Sequence, residues 1–136
     1  MTTTEIFDWC EFYNFANNLA ESQNPYELRI GISRFYYAAF CKCRDFLINN
    51  GYDLGQKSYT NLTSGTSEVH SEVVNIFCNH KKLNQNREGK KIARNLSRAR
   101  KVRNKADYDS ANYKFTHDYK AIKSQVDIIF KKLNEL

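Results

Sequence analysis

Apolar residues recur at intervals of three and four along nearly the whole chain, the period of an α-helix with one buried face. The clearest run is Phe115, Tyr119, Ile122, Val126, Ile129 and Leu133, which predicts a last helix. Upstream, Leu28, Ile32, Phe35, Tyr36, Ala39, Phe40, Cys43 and Leu47 form the main stripe of a long helix from about 25 to 50. Asn24-Pro25 supplies its start, with proline at the first helical position, and Gly51 its stop. A second stripe of Ile30, Tyr37, Cys41 and Ile48 makes this helix either central in a bundle or shared with a second subunit. Phe7, Cys10, Phe15 and Leu19 predict a first helix from about Thr4 to Ala20. Val69, Val73, Ile76 and Phe77 predict a short third one over 68–80, capped by Thr66 or Ser67. Gly51, Gly55 and Gly65 among Ser, Thr and Asn mark 51–66 as loop, and Lys81 to Gly89 reads as a basic, polar connection. Nothing reads as a strand. The expected fold is all-α, an up-and-down helical bundle of about five helices in a single domain spanning 1–136.

The fourth helix carries the chemistry. At about 100° per residue, Lys91, Arg94, Arg98, Lys101 and Lys105 share one face, and Ile92, Leu96, Ala99 and Ala106 the opposite one. Arg103 falls in the middle of the apolar face, where a guanidinium is costly unless paired or functional. Asn104, Asp107 and Tyr108 follow it. Charge sharpens the picture. Residues 81–105 hold eleven Lys or Arg against one acid, Glu88, although the whole chain carries only +6. Such polarity suits a polyanion, RNA first, while a solvated helix face is the plain alternative.

Other classes fall away. Mean hydropathy is -0.70, and no apolar run approaches the roughly 20 residues of a membrane span. The first residues lack the basic and apolar regions of a secretory signal, so a cytoplasmic location and reduced thiols are expected. Cys41-Lys-Cys43 is not a zinc-type pair, and Cys10 and Cys78 supply no partner pair. With no phosphate-cradling glycine motif either, no metal and no cofactor are expected.

Three stretches, in order, resemble the HEPN superfamily of small helical domains. They are Ser33-Arg-Phe-Tyr-Tyr-Ala-Ala-Phe40 on the long second helix, His70-Ser-Glu-Val-Val-Asn-Ile-Phe77 on the third, and Arg103-Asn-Lys-Ala-Asp-Tyr-Asp109 on the fourth. The Ala-Asp-Tyr-Asp ending is similar to that of a less characterised branch of small bacterial and archaeal proteins of this type. The resemblance implies a homodimer formed through helices two and four. It also implies a metal-independent RNase with an Arg, four to six residues, then His, the arginine holding the scissile phosphate and the histidine serving the 2′-hydroxyl or the leaving oxygen. Many such proteins are toxins or phage-defence effectors, often paired with a nucleotidyltransferase antitoxin. This chain departs from the pattern. Tyr108, Asp109 and Ser110 fill the positions where histidine would stand after Arg103, and Lys105, Ala106 and Asp107 those after Arg100. A phenol, titrating near pH ~10, is a poor proton shuttle at neutral pH.

The candidate catalytic residues are therefore Arg103, Asn104, Asp107 and Tyr108. The candidate RNA contacts are Lys91, Arg94, Arg98, Arg100, Lys101 and Lys105, with Tyr37 facing a groove where it could stack a base. Each has a plainer reading. Arg103 and Asp107, four apart, could simply pair on one helix. Tyr108 reads first as packing, and Tyr36 and Tyr37 as core. His70 reads as structural, with a distant general base as the alternative. A non-catalytic interaction module, binding a partner protein or nucleotide through the same groove, is the alternative function.

Overall fold

The computed structural model describes residues 7–52, 67–110 and 115–136, and these form five α-helices with no strand among them. They are α1 (Cys10–Asn17), α2 (Pro25–Asn49), α3 (Ser67–Asn79), α4 (Glu88–Tyr108) and α5 (Thr116–Asn134). A short 3-10 turn, Lys81–Leu83, lies between α3 and α4. Helix α2 is the axis of the bundle, packed by α1, α4 and α5, while α3 lies chiefly on α4. No helix of the described residues is long and apolar enough to cross a membrane.

Helix α2 forms where its punctuation says. The Asn24 side chain accepts a hydrogen bond from the Tyr26 amide at 3.1 Å, and Pro25 opens the first turn without an orphaned N–H. At the other end Gly51 takes a positive φ of 78°. Its amide reaches Ile48 O at 3.2 Å, and that of Tyr52 reaches Leu47 O at 3.0 Å, the paired closure of a Schellman cap. All eight residues of its expected main stripe are buried. Of the second stripe only Cys41 is; Tyr37 and Ile48 are half-buried and Ile30 is exposed. The buried stripe meets Ile92, Leu96 and Ala99 of α4 and Tyr119, Ile122, Val126 and Ile129 of α5 in one core. Burial pushes the Cys41 thiol up to about 11, and that of Cys43 higher still, so both stay protonated packing groups.

The first helix is shorter and turned from its expected phase. It begins at Cys10, whose amide is capped by Asp8 Oδ1 at 2.9 Å, and its buried residue is Ala16. Phe7 and Phe15, expected in the core, are exposed, Phe15 by 52%. Tyr13 takes the inward place, edge-on to Phe35 at 5.2 Å, and the Tyr119 hydroxyl reaches across to Ala16 O. Thr4 to Ile6 and most of the expected loop, 53–66, lie outside the described residues, as does the cap expected at Thr66; Ser67 is already helical.

The stretch from 81 to 89 is more structured than a connection. Asn84 ties it together: its Nδ2 donates to Phe77 O and His80 O at 2.9 and 2.8 Å, and its Oδ1 accepts from the Lys90 amide at 2.7 Å. Glu88 and Gly89 already belong to α4. Gly89 sits where any Cβ would lie 2.2 Å from Phe77 O, so the start of α4 approaches the end of α3 backbone to backbone.

Candidate functional site: a half-satisfied arginine on an aromatic platform

Arg103 is drawn inward by its place on the apolar face of α4, in line with Ile92, Leu96 and Ala99. Only 6% of it is exposed. Its guanidinium carbon lies 5.2 Å from the Tyr36 ring centre, 5.5 Å from that of Tyr37 and 6.0 Å from that of Tyr108. Ring faces at such range stabilise a desolvated cation by about 1–2 kcal/mol each. The carboxylate contribution is loose. Nη1 stands 3.4 Å from Asp107 Oδ2, well beyond the roughly 2.8 Å of a strong charge-assisted bond. The buried Nε–H meets no hydrogen-bond partner among the described residues. The pairing expected between Arg103 and Asp107 is thus present but incomplete, and it leaves a buried N–H of a buried cation unsatisfied.

The platform under it is built by two other helices. Tyr36 of α2 is fully buried, and its hydroxyl is hydrogen-bonded to Nδ1 of His70 on α3. The His70 ring stacks on Phe40 with centres 3.8 Å apart. Burial pushes the Tyr36 hydroxyl far above the usual phenol range, and the nearby charges of Arg100 and Arg103 only partly oppose this. Tyr36 is therefore a neutral platform, not a proton carrier. His70, 2% exposed, is part of the same stack and is closed off from a substrate in solvent.

The other candidates divide among three places. Asp107 and Tyr108 stay beside Arg103, on the rim of a groove between α2 and the end of α4 that Tyr26, Ile30 and Arg34 complete. Tyr108 is 75% exposed, which removes its expected reading as a packing residue of this chain. Tyr37 is half-buried, edge-on to Tyr36 at 5.4 Å. Arg100, Lys101 and Asn104 turn the other way, into a groove between α4 and α3. Asn104 is thus not beside Arg103. Lys91, Arg94, Arg98 and Lys101 form an exposed stripe, and Lys105, also exposed, is engaged with Asp118 of α5 at 3.2 Å. Around the helix this stripe lies roughly 160° from Arg103.

Arg29 was not singled out by the sequence and holds the site in place. Its Nε donates to Ala106 O at 2.7 Å and its Nη2 to Asp109 O, while its guanidinium lies 4.6 Å over the Phe115 ring. A cation on the last carbonyls of α4 complements the helix dipole and fixes the turn that bears Asp107 and Tyr108. Its partners are 77 and 80 residues away, so no local signal marks it. The comparisons with known proteins find no matching family model, no matching curated protein and no matching solved structure.

Proposed function

We propose that this chain is an RNA-targeting protein of HEPN type from a toxin–antitoxin or phage-defence system, working as a homodimer. The single observation that carries the reading is Arg103: a guanidinium buried on aromatic faces, with a loose carboxylate and a spare N–H, on the same helix as an exposed basic stripe. The stripe supplies sequence-independent phosphate contacts. Arg103 is the residue proposed to give one directed contact to a phosphoryl oxygen. The exposed Tyr26, Ile30 and Tyr108 around the groove lined by Asp107 support pairing of two copies there, since large apolar side chains clustered on one face favour an interface. Under this reading a nucleotidyltransferase antitoxin is the expected neutralising partner.

Cleavage is the metal-independent reaction the resemblance implies, with Arg103 on the scissile phosphate; of the other candidates Asp107 and Tyr108 stand beside it, while Asn104 turns to the other groove. A second reading, a non-catalytic module binding a partner protein or nucleotide through the same groove, is favoured by one specific observation. No histidine follows Arg103 at the family spacing, and His70 is closed into the core. The deciding experiment incubates the purified protein and its Arg103→Met variant with RNA in the presence of a chelator. Cleavage lost with Arg103 supports the RNase. RNA bound but never cut supports the module, and failure of both binding and cutting removes the RNA reading.

A further inference from the structure

The groove between α3 and α4 is on the far side of Arg100 from Arg103, and no role has yet been given to its α3 wall. Its walls are unusually rich in side-chain amides. Asn75 and Asn79 stand one turn apart on α3, opposite Asn104 of α4. Two other asparagines near these helices are spent on structure: Asn84 bonds three backbone groups, and the Asn95 amide is given to Lys91 O at 2.9 Å. Those of the groove are not. Asn79 Nδ2 donates to Asn75 Oδ1 at 2.6 Å, which leaves Asn75 a free N–H donor and Asn79 a free carbonyl acceptor, side by side and exposed. Between the walls Val74 and Cys78, again one turn apart, give a half-buried apolar floor. At the α4 rim stand two cations. The Arg100 Nε–H is buried without a hydrogen-bond partner among the described residues, and Lys101 belongs at once to the groove and to the outward basic stripe.

An adjacent donor and acceptor, an apolar floor and a cationic lip are the three things a single nucleotide asks of a protein. The edge of a base offers a matching acceptor and donor, its face stacks on apolar surface, and its phosphate takes the charge. We propose that this groove receives one base of the RNA lying along α4, with the phosphate of that nucleotide on Arg100 and Lys101, and so sets which base the protein prefers. This rests on the RNA-binding reading above. Lys101 gives the continuity it needs: a strand following the stripe arrives at the groove without leaving a positively charged surface.

The test uses the wild-type chain, labelled single-stranded hexamers of A, C and U, and the groove's own thiol. The expected affinities differ between hexamers by roughly tenfold. Asn75→Ala and Asn79→Ala bring them level while leaving the salt dependence of binding unchanged. Saturating amounts of the preferred hexamer slow alkylation of Cys78, mapped by mass spectrometry, and leave Cys10, on another face, reacting at its free rate. Equal affinity for all three hexamers, or a Cys78 rate untouched by bound RNA, overturns the base site while RNA binding itself stands. Absence of any RNA binding overturns both together.

Discussion

If Arg103 holds RNA as proposed, stability and function point in opposite directions at this residue. Replacing a buried cation with an incomplete ion pair by an apolar group of similar size is often neutral or stabilising, since the desolvation cost offsets what its ring contacts contribute. Arg103→Met is therefore expected to leave the melting temperature unchanged or raise it. RNA affinity falls roughly ten- to hundredfold, the value of one lost charged hydrogen bond. Asp107→Ala does the reverse. It leaves the guanidinium buried with the rings alone and costs about 1 kcal/mol, kept small because the carboxylate is partly exposed and distant. Calorimetry and RNA titration on the two variants separate the accounts: a large loss of stability in Arg103→Met would make the arginine a structural residue. Glu88 offers a measurement in acid. Its carboxylate accepts from its own amide and from that of Asn86, which holds it below the usual carboxylate range. A depressed value means stability that is present above the unfolded carboxyl range near pH ~4.3 and is lost as pH falls through the folded one. Glu88→Gln is expected to remove that part of the acid transition, read by chemical denaturation at stepped pH.

Among the helices, α2 and α5 were legible because their punctuation and period agree: Asn24-Pro25, Gly51 and an unbroken four–three repeat leave one solution. The first helix was not. Phe7, Cys10 and Phe15 invite a stripe, yet Trp9, Phe12, Tyr13 and Ala16 share the opposite face, and that is the one turned to the core, with Ala16 buried and Trp9 and Tyr13 packed against it. The turn before α4 was hidden for a different reason. It rests on the Asn84 amide and on the contact of Gly89 with Phe77 O, neither of which has a periodic signature. In the site, periodicity alone placed Arg103 inward and the lysines outward. It could not show the His70–Tyr36 bond or the reach of Arg29, which join helices far apart in sequence. Gly89→Ala tests the closeness of α3 and α4. With 2.2 Å from the added carbon to Phe77 O, the helices must part, at about 1–3 kcal/mol, and the melting temperature falls by several degrees. A variant as stable as the wild type would show that this end of the bundle is loosely held.

At the scale of the molecule, the exposed Tyr26, Ile30 and Tyr108 lead to an expected particle of twice the 16.0 kDa chain mass in light scattering. Ile30→Asp, which places a charge on that face without touching the core, is expected to give monomers that melt independently of concentration. A wild-type chain monomeric at high concentration would remove the paired groove. The separation of the basic stripe from Arg103 by nearly half the circumference of α4 bears on the mechanics of the nucleic acid itself. Because α3 and α5 are packed on the flanks of α4, the stripe and Arg103 belong to different faces of the bundle, and a ligand that reaches both must bend sharply around it. Double-stranded nucleic acid is stiff over roughly 50 nm, so it cannot turn through such a curve. A single strand can. Duplex RNA is thus expected to lie on Lys91, Arg94, Arg98 and Lys101 and go no further, binding equally well to the wild type and to Arg103→Met. Single-stranded RNA alone should feel that substitution, so the stiffness of the ligand, rather than its charge, decides whether it reaches the buried arginine.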